Sequence, residues 1–231
     1  MRIVCISLLV LLGCDRGAPS PAPGPVVVYA AASLREAVTE IAREWTKRTG
    51  RETRLQFEAT STLARQIKEG GPADVFLTAA PEWLDQVKPG ERKDWLSNRL
   101  VLVVPKEVRE FDLKSARSLA LANEQVPAGK YGKAALAHLG IKPPERTIYG
   151  SNVREVLSKV SQGGAEAGIV YATDAALDPE VRIAFTFPPE SHPKILYSAG
   201  LLKEAGKGFY AALNESWALE IARKYGFVLL E

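Results

Sequence analysis

Cysteine and histidine are almost missing from this chain: 231 residues carry two of each. Both cysteines, Cys5 and Cys14, lie near the N-terminus. From Asp15 onward there is no thiol for nucleophilic chemistry, for a disulfide or for a zinc site. Such a domain has no covalent staples and rests on its core, for which an apolar fraction of 46% is ample. His138 falls in a helix-patterned stretch and His192 stands beside Pro193 in a loop, and neither has a partner in sequence that would orient it as a base. An excess of one charge is lacking too. The net charge is +3 with both signs interspersed, which gives no argument for nucleic acid or an acidic surface. A Walker-type loop is absent, because Gly70-Gly71 and Gly163-Gly164 lack the Lys-Ser/Thr that cradles phosphate and read as helix stops.

What is there begins with a leader pattern. Arg2 is followed by the apolar run Ile3 to Leu12, too short to span a bilayer. Leu11-Leu12-Gly13-Cys14 resembles a bacterial lipobox, with cleavage before Cys14 and lipid attached to its sulfur. Residues 1–13 are thus expected to be a lipoprotein signal peptide. Residues 14–25, rich in alternating prolines, read as an extended tether between the lipidated Cys14 and a folded domain. The expected location is the periplasmic side of the cell membrane.

Past the tether, Val26 to Ala30 reads as a buried strand. Ser33 with Glu36 three residues on has the pattern of a capping box. Leu34, Val38, Ile41 and Trp45 then form one helical face that Gly50 ends. The unit recurs. Thr53–Glu58 is a strand before Thr60, Ser61 and a helix, and Ala73–Thr78 is a strand before a helix that Pro81 opens. Further strands are expected at Arg99–Val104, Ser118–Ala122, Arg146–Tyr149, Gly168–Tyr171, Val181–Phe185 and Ile195–Ser198. A helix is expected after Pro127 and another after Asn152, whose Glu155 completes a second capping pattern, and Thr173 is read as the cap of a short turn. Tyr210, Leu213, Trp217 and Ile221 mark a tail helix packed back on the first lobe. The β-α-β-α-β-α order of the first units implies an α/β protein with a parallel sheet and right-handed crossovers there. The first lobe is taken as 26–104 plus 199–231 and the second as 105–198.

Ser33, Thr60, Ala128 and Val153 all stand where a strand hands over to a helix start. Two facing α/β lobes bring such ends to a common cleft, which offers N–H groups and hydroxyls without formal charge. That chemistry suits a small, fully ionised oxyanion.

These residues carry a family resemblance. Ala30-Ala31-Ala32-Ser33-Leu34, Ser61-Thr62-Leu63-Ala64-Arg65-Gln66-Ile67, Pro72-Ala73-Asp74-Val75-Phe76, Val126-Pro127-Ala128-Gly129, Gly168-Ile169-Val170-Tyr171-Ala172-Thr173-Asp174-Ala175 and Arg223-Lys224-Tyr225-Gly226-Phe227 occur in one order along the chain. In this it resembles the molybdate-binding proteins of bacterial ABC importers. The resemblance implies a type II periplasmic-binding-protein fold, two α/β lobes joined by two crossing segments. It implies molybdate, and tungstate, held by hydrogen bonds without direct protein–metal bonds and without a cofactor. The implied ligands are the hydroxyls of Ser33 and Thr60, with Ser61 able to share the latter's role, the main-chain N–H groups of Ala128 and Val153, and the phenol of Tyr171. The implied partner is a membrane permease. The chain is read as a monomer with a lipid anchor on Cys14, with no nucleic-acid partner and no enzymatic activity. The alternatives are a binder of sulfate or another oxyanion, or an enzyme on the same fold acting on a small anionic substrate.

Overall fold

The computed structural model describes residues 24–230. The expected signal peptide, Cys14 and all but the last two residues of the expected tether lie outside the described residues.

The first lobe starts with β1 (Val26–Ala31), which the sheet buries almost completely. A short 3-10 turn, Ala32–Leu34, leads into α1 (Arg35–Thr49). The helix buries Ala37, Val38, Ile41, Ala42 and Trp45, the stripe that its periodicity announces. It ends where Gly50 turns left-handed (φ 71°) and donates its N–H to the Thr46 carbonyl. β2 (Thr53–Glu58), α2 (Thr60–Lys68), β3 (Val75–Thr78) and α3 (Glu82–Val87) follow. β2 and β3 flank β1 in parallel, as two crossover helices require. β4 (Glu91–Ser97) was not expected from sequence. Its Glu91-Arg92-Lys93-Asp94 start has poor strand propensity, and it pairs because the sheet offers partners on both sides.

β5 (Leu100–Pro105) belongs to the other sheet, between β8 and β9. The second lobe adds β6 (Ser118–Ala122), α4 (Pro127–His138), β7 (Arg146–Gly150), α5 (Val153–Ser161), β8 (Ala167–Tyr171), the short α6 (Ala172–Ala175) and β9 (Val181–Thr186). The chain then returns as β10 (Leu196–Leu201), antiparallel to β3 and β4 in the first sheet. The sheets read β11-β4-β10-β3-β1-β2 and β7-β6-β8-β5-β9. Both are mixed, and the strands of the first three β-α units, β1, β2 and β3, run parallel as expected. The division also corrects the lobe bounds. The chain leaves the first sheet at Asn98–Arg99, before β5, and is back in it at Leu196, so 100–105 moves to the second lobe and 196–198 to the first. An apolar strand pattern cannot say which of two sheets will recruit it.

The tail forms two helices, α7 (Lys207–Ala212) and α8 (Ser216–Lys224), not one. They part at Leu213, whose carbonyl accepts the Trp95 indole N–H at 2.9 Å. α8 does pack back on α1, where Lys224 and the Tyr225 hydroxyl both donate to Glu40. The short β11 (Val228–Leu229) closes the edge. No helix among the described residues is long and apolar enough to cross a membrane.

Candidate functional site

Six strand ends meet at the seam between the lobes. Around one small hollow stand Ala31 at the end of β1 with Ala32 and Ser33 of the 3-10 turn, Ala59 and Thr60 where β2 gives way to α2, Ala79 just after β3, Val126 to Ala128 at the start of α4, Asn152 and Val153 at the start of α5, and Tyr171 at the end of β8. The hollow measures about 20 Å³, room for one small guest where a single water needs ~10–15 Å³. Five of the six residues expected at a ligand thus come together. Ser61 does not. It lies one position round α2 and lines an outer depression with Thr62, Arg65 and Trp83.

Ser33 is 3% exposed and is not a helix cap, contrary to the capping-box pattern. The 3-10 turn starts the coil two residues earlier, so the hydroxyl is free of the main chain and lies 3.0 Å from the Tyr197 hydroxyl. Thr60 is the first residue of α2, and its Oγ1 accepts the Ala79 N–H at 3.1 Å. That bond occupies a lone pair and leaves its proton to point elsewhere.

The helix starts are prepared by local sequence. Pro127 has no N–H, so Ala128 carries the first free donor of α4. Gly129 is obligatory beside it, since a Cβ there would come within 2.3 Å of the Ala122 carbonyl oxygen and 2.2 Å of that of Asn123. Asn152 caps α5 as expected, accepting from Arg154 N–H and Glu155 N–H at 3.0 Å each, which passes over the N–H of Val153. Glu155 reaches back to the Ser151 N–H at 2.6 Å and the Ser151 hydroxyl at 2.8 Å, holding the turn. The Ser151 N–H, then the Lys159 ammonium, pull its carboxyl down to about 2. Thr173, expected as a cap, instead accepts from the Asn98 side chain at 2.9 Å.

Tyr171 is 1% exposed, and among the described residues its hydroxyl has no hydrogen-bond partner. A buried phenol left unpaired costs roughly 1–3 kcal/mol, so a fold keeps one only where something else uses it. Burial, reinforced by Tyr197, Tyr131 and Asp174, drives its pKa well above the ordinary value, so it is a neutral donor. Burial does the same to Tyr197 and Tyr131.

No lining residue carries a formal charge. The nearest charges tie the lobes together just behind the lining. Arg154 Nη2 of α5 meets Glu36 Oε2 of α1 at 2.5 Å, and its Nη1 meets the other oxygen at 3.3 Å. Its Nε lies 2.6 Å from Asp174 Oδ1, an ion pair by distance whose N–H line is too bent to count as a hydrogen bond. Asp174 is fully buried, and desolvation raises it to about 6 against the pull of Arg154. Lys130 and Glu82 bridge the opposite rim at 2.7 Å. The lobes are therefore shut over the hollow.

The histidines lie apart from it. His192 Nδ1 sits 2.9 Å from the Pro193 carbonyl, and His138 ends α4. Among the described residues no three His, Cys, Asp or Glu side chains gather at a metal-binding distance. Tyr197 and Asn98 were missed by sequence reasoning, since no motif marks a residue that reaches the hollow only through another side chain.

The family described as bacterial extracellular solute-binding proteins matches residues 26–228. The molybdate-binding protein ModA of Escherichia coli is 35% identical over 89% of this chain and 90% of its own. A putative ABC transporter substrate-binding lipoprotein of Bacillus subtilis, YvgL, is also 35% identical, over 87% of this chain and 85% of its own. Among solved structures, the substrate-binding domain of a putative molybdenum ABC transporter from Clostridium difficile superposes with a TM-score of 0.69 at 28% identity, covering 90% of this chain and 99% of that one. The periplasmic molybdate-binding protein of Azotobacter vinelandii shares the fold with a TM-score of 0.76 at 24% identity, over 89% of this chain and all of that one. Two lobes closed on an uncharged hollow, in a sequence matched from its first strand to its last, place this chain in the family of bacterial extracellular solute-binding proteins, among the relatives of ModA.

Proposed function

We propose that this protein captures molybdate outside the cytoplasm and delivers it to the permease of an ABC importer. The observation that carries the reading is the unpartnered, fully buried Tyr171 hydroxyl facing a hollow that also receives Ser33, Thr60 and two helix starts. Every group offered there is a donor or has a proton to give. Charge-assisted bonds from such donors hold a dianion without a counter-ion. Ser33, Thr60 and Tyr171 act through side chains, Ala128 and Val153 through main-chain N–H groups. Tungstate has the same shape and charge and is a second cargo. No base stands beside Ser33 to activate it, so the role is binding and not turnover.

Binding holds the lobes closed about the crossings at Asn98–Arg99 and before Leu196, and the closed form is what the permease receives. Cys14 carries the lipid that keeps the protein at the membrane. A Cys14→Ser variant is expected in the soluble fraction, and retention on membranes would reject the anchor.

The test of the cargo is calorimetric titration of the purified protein with molybdate, tungstate, sulfate and phosphate. One-to-one binding of molybdate, with phosphate silent, is the expected result. Preference for sulfate would keep the site and change the cargo, and silence toward all four would reject the anion site.

A further inference from the structure

The polarity of the hydrogen bonds behind Ser33 is set from a main-chain N–H at the hinge. The Arg99 N–H donates to Asn98 Oδ1 at 2.8 Å, and a main-chain N–H can only donate. The orientation of the Asn98 amide follows: its oxygen faces Arg99, and its Nδ2 faces Thr173 Oγ1 at 2.9 Å and the Tyr197 hydroxyl at 3.3 Å. Nδ2 has only protons to give, so Tyr197 Oη accepts from it. The single proton of Tyr197 then goes to its remaining neighbour, Ser33 Oγ, 3.0 Å away. Reversing that bond would leave Tyr197 accepting twice, with its own buried proton unpaired, a costly arrangement. Ser33 therefore accepts from Tyr197 and turns its own proton into the hollow. Asn98 lies in the first crossing and Tyr197 at the start of the return strand, so the chain of bonds runs through both hinges.

We propose that Tyr197 and Asn98 are positioning residues that hold the Ser33 hydroxyl as a donor to the anion in the hollow. The inference rests on the oxyanion reading above. A fully ionised dianion accepts from Ser33. Neither residue lines the hollow, so both act through Ser33.

The experiment is a double-mutant cycle with Tyr197→Phe and Ser33→Ala, read by titration with molybdate near neutral pH. Tyr197→Phe frees Ser33 to rotate. Molybdate affinity is expected to fall about 5- to 10-fold. In the Ser33→Ala background the same change is expected to alter molybdate affinity by less than about 2-fold, because its route is gone. Asn98→Ala, which leaves Ser33 and Tyr197 in place, lowers molybdate affinity in the same way and serves if Tyr197→Phe does not fold. Unchanged molybdate affinity in both variants overturns the proposal, as does a Tyr197 effect of equal size with and without Ser33, which would mark mere support of the core. A wild type that binds neither molybdate nor tungstate rejects the functional reading itself, before the variants are compared.

Discussion

Replacing Tyr171 by Phe removes one oxygen atom from the middle of the molecule, and the effects on binding and on stability should have opposite signs. The ring is packed edge-on against Tyr197, with centroids 5.9 Å apart, and Phe keeps that contact. The hydroxyl has no protein partner to lose. A hydrogen bond to a charged acceptor contributes about 1.5–3 kcal/mol, so losing it weakens molybdate binding about 10- to 150-fold. In the closed protein without anion, the same change removes a desolvated, unpaired polar atom, which costs about 1–3 kcal/mol where it is buried. The expected result is a much weaker calorimetric Kd together with an unliganded Tm equal to or above that of the wild type. The thermal shift on adding molybdate shrinks accordingly, since that shift follows the logarithm of ligand over Kd. A variant that binds molybdate as tightly as the wild type would refute the assignment of Tyr171. A variant that loses several degrees of unliganded Tm would show that the hydroxyl has a structural partner, and the reasoning from its isolation would fail.

Thr60→Ala should weaken anion binding several-fold while Ser61→Ala leaves it unchanged, because only Thr60 faces the hollow; titration of the two side by side separates them. Arg154→Met leaves Asp174 buried without its cation and unhooks Glu36, and is expected to cost about 3 kcal/mol in urea unfolding and to weaken molybdate binding by favouring the open lobes; unchanged stability would show that the triad is idle. Asp174 has a folded pKa near 6 against an ordinary 3.8, so the folded state holds its proton more tightly than the unfolded chain between those values. Its contribution therefore makes stability fall as pH rises from about 4 to 6 and level off above. Asp174→Asn should flatten that fall in unfolding midpoints measured across the window. Glu155, lowered to about 2, acts in the opposite sense and below that window: its hold on the Ser151 turn is complete above about 4.5 and fades as pH drops.

Much of the fold was legible because it is local. The strand from Val26, the face of α1 and its Gly50 stop, Pro127 opening α4 and Asn152 capping α5 all depend on residues within a turn or two of one another. So do the strand-to-helix junctions that bear Ser33, Thr60, Ala128, Val153 and Tyr171. β4 escaped notice because a charged strand has no periodic signature, and the lobe bounds were misplaced because Leu100–Pro105 reads the same whichever sheet it joins.

The sequence by itself determined where helices begin, and hence which N–H groups and hydroxyls stand at strand ends. Tertiary structure decided what those groups do. Ser33 looks like a cap in sequence and becomes a free donor only because Tyr197, 164 residues away, supplies its other bond. Tyr171 looks like a packing aromatic, and its hydroxyl is left unpaired because nothing among the described residues of either lobe reaches it. Thr60 and Ser61 are neighbours with the same chemistry, separated by the turn of a helix against the facing lobe. A hydroxyl's role depends on who accepts and who donates around it, and in a two-lobed protein those partners come from distant parts of the chain.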